Sequence, residues 1–370
     1  MTFCCGRSAH SLSRPWARLN CAWRPLPRAF WLVSGKGTSW EDPMASITRK
    51  AARAARLVFV TALAGLLCAP AALAADKIRV GNPSVQSFSF LPLRLGIAHG
   101  IFAKYAVEPE EVTVNGSARL HQAMAAGSLD IALGAGPDLI FLVKGAPEVA
   151  VAQMAGPPLL LGVVVPFDSP LERADDLRGK RIGISTVNSL TQWVMRELAR
   201  QKGWDPDSLT YVTVGAELPN QVAALVTGQI DAVVSSSALG LSLAEEKRGR
   251  LLFTASDIIH DFMIHTIYAS NEIAQRNPDA VRRFLRGWFE TIAFMRANRE
   301  ETVRASRERT RFSTAIEEKQ YDLVMPMFSA DGHFDPAALA TIERSFVDLH
   351  HTDKEPNLAK FCTERFLAAR

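Results

Sequence analysis

From Lys77 onward, short apolar runs ending in Gly, Asn or Ser alternate with amphipathic stretches closed by Gly, and this alternation constrains the fold more than any other feature. "KIRVGNP" reads as a strand entering a turn, "LPLRLGIAHGIFAKYA" as a helix broken at Gly100, and "EVTVNGS" as a second strand. "ARLHQAMAAG" is a helix stopped by Gly127, and "LDIALGAG" is a third strand. Strands separated by helix-length segments predict an α/β sheet with crossover helices, in which ligands collect at the carboxyl ends of the strands.

The series resumes after Pro166 and Pro170 with "ADDLRGKRIGIS", "MRELARQKG", "LTYVTVG", "LPNQVAALVTG" and "IDAVVSSS". "HQAMAAGSLDIALGAG" and "VAALVTGQIDAVVSSS" share the order helix, Gly, Asp, strand, as two similar lobes in tandem would. Past Asp257 come one more strand, "MIHTIYAS", and then helices. Asn277-Pro278 and Asp335-Pro336 place a cap before Pro at the first helical position, and Thr314 with Glu317 reads as a capping box. In the helix over 279–300, Val281, Phe284, Leu285, Trp288, Phe289, Ile292 and Met295 form the apolar stripe, and its arginines read as a solvated face.

The net charge of +4 hides an asymmetry, since residues 1–74 hold ten basic and two acidic side chains. The remainder carries 32 basic against 36 acidic groups and gives no electrostatic reason to bind nucleic acid. Within that basic segment, Arg49, Lys50, Arg53 and Arg56 precede the apolar run "LVFVTALAGLLCAPAAL", and Ala72-Leu73-Ala74 forms an A-x-A site. This is the anatomy of a signal peptide over 44–74 cut after Ala74, an uncleaved anchor being the alternative. Residues 1–43 lack apolar periodicity, and Met44 sits where a signal peptide should begin, so 1–43 reads as an over-extended start. Export would leave Cys362 as the sole thiol, too few for an internal disulfide.

Catalytic and metal motifs are missing at local spacing: the mature chain has no His-x-x-x-His, Cys-x-x-Cys, Glu-x-x-His, Gly-x-Ser-x-Gly or Walker sequence. No metal and no cofactor is therefore expected. His260 and His265 flank a strand entry and read as structural or surface groups. Anion binding at helix N-termini is the more natural chemistry. Three strand-to-helix junctions qualify: Ser84 to Phe88, Gly116 to Arg119, and Thr186 to Thr191. Arg119 could pair with an anionic ligand, while Ser117 and Ser189 serve equally well as plain helix caps. Ser235-Ser236-Ser237 ends the equivalent strand of the second lobe, as a hinge or a ligand contact. Trp193, beside the stripe Leu190, Val194 and Leu198, either packs or stacks on a ligand.

Together these residues resemble a known family. "FLPLRLGIAHGIFAKYAVEPEEVTV", "AMAAGSLDIALGAGP", "ADDLRGKRIGISTVNSLT", "ALVTGQIDAVV" and "NPDAVRRFLRGWFETIAFMRAN" are similar, in order, to blocks of the solute-binding proteins of the nitrate, sulfonate, taurine and thiamine-precursor type. The resemblance implies a type II periplasmic binding protein fold, two α/β lobes joined by a two-strand hinge with a ligand cleft between them. It places lobe 1 at 75–165 plus 257–370 and lobe 2 at 166–256. It implies ligand contacts at Ser84, Gln86, Ser87 and Phe88, at Gly134, Ala135 and Gly136, and at Thr186, Asn188, Ser189 and Thr191, with Ser235 and Ser236 a weaker match. The implied protein is a periplasmic monomer that gives a small organic anion or zwitterion to an ABC permease. Two alternatives stay open: a sensor, and an enzyme like those that build the thiamine pyrimidine from pyridoxal phosphate and their own histidine. That branch carries a cysteine-rich motif, and one cysteine remains here.

Overall fold

The computed structural model describes residues 75–368 apart from 85, 115, 206 and 207. The expected over-extended start (1–43) and signal peptide (44–74) lie outside the described residues.

The chain begins with β1 (Asp76–Asn82), α1 (Leu91–Ala98), β2 (Val107–Thr113), α2 (Ser117–Ala125), β3 (Ile131–Ala135), α3 (Leu139–Val143) and β4 (Glu148–Ala155). It continues through β5 (Leu161–Pro166), β6 (Arg181–Ile184), α4 (Leu190–Gln201), β7 (Thr210–Thr213), α5 (Leu218–Val226), β8 (Ala232–Ser236), α6 (Ser237–Glu245) and β9 (Gly249–Thr254). The last part holds β10 (His265–Ser270), α7 (Asn271–Arg276), α8 (Pro278–Ala297), α9 (Arg299–Thr310), α10 (Thr314–Val324) and α11 (Pro336–Asp348).

Two five-stranded sheets result, ordered β2-β1-β3-β10-β4 and β7-β6-β8-β5-β9. β1 runs parallel to β2 and β3, and β6 runs parallel to β7 and β8. The fourth strand of each sheet is antiparallel to its neighbours and comes from a crossing between the sheets: β10 returns to the first, and β5 enters the second. This corrects the expected lobe boundary at 165/166. Leu161–Pro166 pairs with β8 and β9, so the outward crossing falls at 156–160. The two crossings are hydrogen-bonded to each other, Ile264 N donating to Gly156 O at 3.0 Å. Gly136 N donates in turn to Ile264 O, and a Cβ on Gly136 would lie 1.8 Å from the Met263 carbonyl oxygen. Only glycine lets β3 end this close to the returning chain.

The Asp of the sequence echo holds both sheets in the same way. Asp130 accepts from Arg79 N at 2.8 Å and pairs with its guanidinium at 2.7 Å; Asp231 does the same for Arg181 at the same two distances. In α8 the expected stripe is buried except for half-buried Phe289. The expected capping box at Thr314 is absent: Ser313 caps α10 by accepting from Ile316 N, and Glu317 turns into the core, accepting from Ser306 Oγ at 2.6 Å and from Thr310 Oγ1.

Candidate functional site

Elements of both lobes enclose a cavity of about 230 Å³. The first lobe contributes Ser84, Gln86, Ser87 and Phe88 of the loop after β1, and the short turn that follows through Ser89. Facing it from the second lobe are Leu218 at the start of α5 and Ser236, Ser237 and Ala238 at the start of α6. Leu160 comes from the outward crossing. A third wall comes from the C-terminal helices: Thr310 and Phe312 between α9 and α10, and Gln320 and Val324 on α10 itself. Among the described residues, no charged side chain lines this cavity.

Several of its polar groups are already engaged. Ser87 Oγ accepts from Ser89 N, and Ser236 Oγ accepts from Leu239 N to cap α6. Ser237 Oγ donates to Leu159 O at 2.7 Å, and Thr310 Oγ1 bonds Glu317 while accepting from Phe312 N. Two atoms are different: Ser89 Oγ and Gln320 Oε1 are buried without a hydrogen-bond partner among the described residues. Ser89 is fully buried and Gln320 is 6% exposed. A buried polar atom left unpaired costs about 1–3 kcal/mol, so a cavity flanked by two of them is poised for a polar occupant.

The sequence-expected residues divide sharply. Ser84, Gln86, Ser87, Phe88 and Ser236 line the cavity; Arg119, Gly134, Ala135, Gly136, Thr186, Asn188, Ser189, Thr191 and Ser235 do not. Arg119 is an exposed residue of the first turn of α2, which starts at Ser117 with Gly116 rather than Ser117 as its cap. Ser235 Oγ donates to Gln221 Oε1 at 2.5 Å. Gly134 lies where a Cβ would be 2.9 Å from both Asp138 and Tyr268, so this glycine, like Gly136, serves close packing.

At the junction after β6 the side chains of Ser185, Ser189, Thr191 and Gln192 are engaged within the turn. Thr191 Oγ1 accepts from Ser185 N at 3.0 Å and lies 2.8 Å from Ser189 Oγ. Ser189 Oγ donates to Thr186 O at 2.7 Å and accepts from Gln192 N, capping α4. Asn188 takes a left-handed φ of 57° and donates its N–H to Gln192 Oε1 at 2.7 Å. Trp193 is a packed core group: its ring stacks on Phe262 at 5.8 Å, and Nε1 donates to Asp348 Oδ2 at 3.0 Å.

Sequence reasoning missed Ser89, Thr310, Phe312 and Gln320, and it missed His121. His121 is buried, with Nδ1 2.7 Å from Glu148 Oε1 and Nε2 3.2 Å from Asp138 Oδ2. Burial alone would depress its pKa, yet the two carboxylates carry it up to about 9, so His121 is a cation at neutral pH. His265 behaves oppositely: burial lowers its pKa to about 4 and keeps it neutral, in edge contact with Phe90 at 5.2 Å. Burial also pushes the Cys362 thiol up to about 12, and Cys362 does not line the cavity.

Two α/β lobes linked by paired crossings, with a cavity between them, define the type II periplasmic-binding-protein fold. The family model described as NMT1/THI5 like matches residues 87–302, more than half of the chain, and the chain belongs to that family. No curated protein sequence matches it. Among solved structures it is similar to the periplasmic aliphatic sulphonate binding protein SsuA of Escherichia coli, with 17% identity and a TM-score of 0.67 over 78% of this chain and 92% of that one. The alkanesulfonate-binding protein SsuA of Xanthomonas axonopodis pv. citri, bound to MOPS, is also 17% identical, with a TM-score of 0.60 over 78% and 96%. The desulfurization enzyme DSZB is 16% identical, with a TM-score of 0.57 over 79% and 97%. At such identities the likeness concerns the fold.

Proposed function

We propose that this chain is a periplasmic solute-binding protein that closes its two lobes on a small organic anion or zwitterion and delivers it to an ABC importer. In this reading residues 44–74 export it, it works as a monomer without a cofactor, and its lobes meet at crossings over 156–160 and 255–264. The observation that carries the reading is the inter-lobe cavity itself, which among the described residues is free of charged side chains and flanked by two buried polar atoms that none of those residues satisfies. With Arg119 elsewhere, the anionic end would rest on the positive N-terminal ends of α5 and α6, and among the described residues no carboxylate lines the cavity to repel it. Lobe closure then follows from a ligand that contacts both sides at once and so binds the closed state more tightly.

The likeness to DSZB keeps an enzyme as the second reading. Against it, the described residues of the cavity lining include no carboxyl, imidazole or thiol group that could act as an acid, base or thiol nucleophile. A thermal-shift screen of residues 75–370 against alkanesulfonates, carboxylates, nitrate and pyrimidines tests the binding reading. A true ligand at one hundred times its Kd should stabilise the fold by about 2.7 kcal/mol. Stabilisation by no anion or zwitterion would contradict it.

A further inference from the structure

We propose that Gln320, on the C-terminal helical wall, selects solutes that carry a hydrogen-bond donor, an O–H or N–H, in addition to their anionic head. This rests on the binding reading above. The inward face of α10 buries Ile316, Glu317, Gln320, Tyr321 and Val324, a stripe at helical spacing where an apolar side chain at 320 would pack without cost. Two members of that stripe are strongly polar, and they differ in what they touch. The Glu317 carboxylate accepts from Ser306 and Thr310, while Gln320 Oε1 has no protein partner and its side chain lines the cavity.

A carboxamide oxygen accepts and never donates. With the Gln320 amide turned as it is, oxygen inward, a solute made of acceptors alone, such as nitrate or an unsubstituted alkanesulfonate, leaves Oε1 buried and unpaired unless the amide turns over to present its NH2. A solute bearing a hydroxyl or N–H satisfies it. Ser89 Oγ, the other unpartnered atom, can donate or accept and so tolerates either kind of solute. The discriminating residue is thus Gln320, and it belongs to the C-terminal helices rather than to the strand-end loops of either lobe. α10 also touches the second lobe through Ser313 Oγ, which donates to Glu245 Oε2 of α6 at 3.0 Å, so it is held against both sides of the cleft.

The test is a calorimetric comparison of 2-hydroxyethanesulfonate with ethanesulfonate, which share one head and differ by one hydroxyl, on residues 75–370 and on Gln320→Leu. The unsubstituted chain should bind the hydroxylated member about tenfold more tightly, one hydrogen bond in a closed site. In Gln320→Leu the ratio should fall near one while ethanesulfonate binds as before or better. Gln320→Met serves if the leucine variant unfolds. Equal affinity for the two in the unsubstituted chain, or a preference that survives both substitutions, overturns the selectivity and leaves the binding reading standing. Binding of neither at millimolar concentration contradicts the anionic-solute reading, and the selectivity falls with it.

Discussion

The loops after β1 and after β6 occupy the same place in two sheets of the same strand order, yet their polar side chains have opposite fates. After β6, the side chains of Ser185, Ser189, Thr191 and Gln192 are tied together by hydrogen bonds that close the turn and cap α4, with Thr186 and Asn188 joined in through their backbone O and N–H. After β1, Ser84, Gln86, Ser87, Phe88 and Ser89 line the cavity, and the Ser89 hydroxyl is left without a partner among the described residues. One junction is a finished turn and the other an unfinished one. A polar-rich strand end is therefore not in itself a ligand site; what matters is whether its lone pairs and protons are already used.

The lobes also differ beneath these loops, and the largest expected effect lies there. In the first lobe His121 sits between Asp138 and Glu148, and Asp138 also accepts from Ala135 N at the end of β3. His121→Leu leaves two buried carboxylates without their cation and should cost about 3–5 kcal/mol in denaturant unfolding. The folded-state pKa of about 9 lies above the ordinary 6.5, so the proton-linked stability is fully present below about pH 6.5 and is lost as pH rises through 9. Melting curves from pH 7 to 10 should fall for the unsubstituted chain, and His121→Leu should lack that contribution.

The next effect separates the two junctions. Thr191→Val removes the oxygen on which the second turn converges and should cost about 1–2 kcal/mol of stability while solute affinity stays the same. Ser89→Ala should do the reverse, leaving unfolding unchanged or slightly harder and weakening binding of 2-hydroxyethanesulfonate by several-fold. Affinity lost with Thr191→Val, or untouched by Ser89→Ala, would break the distinction. The smallest effect should be shared: Arg79→Ala and Arg181→Ala remove matched, half-exposed pairs and should lower the denaturation midpoint slightly and equally.

The alternation of strand and helix was legible because glycine stops and apolar runs are local signals, and the Asp echo marked a real repeat, Asp130 and Asp231. The lobe boundary was misread because "LLLGVVVPF" reports burial without reporting which sheet does the burying; its antiparallel partners lie some 70–90 residues away. The third wall was illegible for a similar reason. "REETVRASRERT" is almost wholly polar, and nothing local in it shows that Thr310, Phe312 and Gln320 return to the loop after β1. Arg119 was expected to pair with an anion, but the exposed first turn of α2 puts it off the cavity.

Hydrogen exchange on residues 75–370 with and without saturating 2-hydroxyethanesulfonate tests the central claim most directly. The account predicts that the solute slows exchange over residues 86–91, 236–240 and 310–324 and leaves 185–192 unchanged, because the first set encloses the cavity and the second is already closed on itself. Protection at 185–192 with none at 86–91 or 310–324 would contradict it.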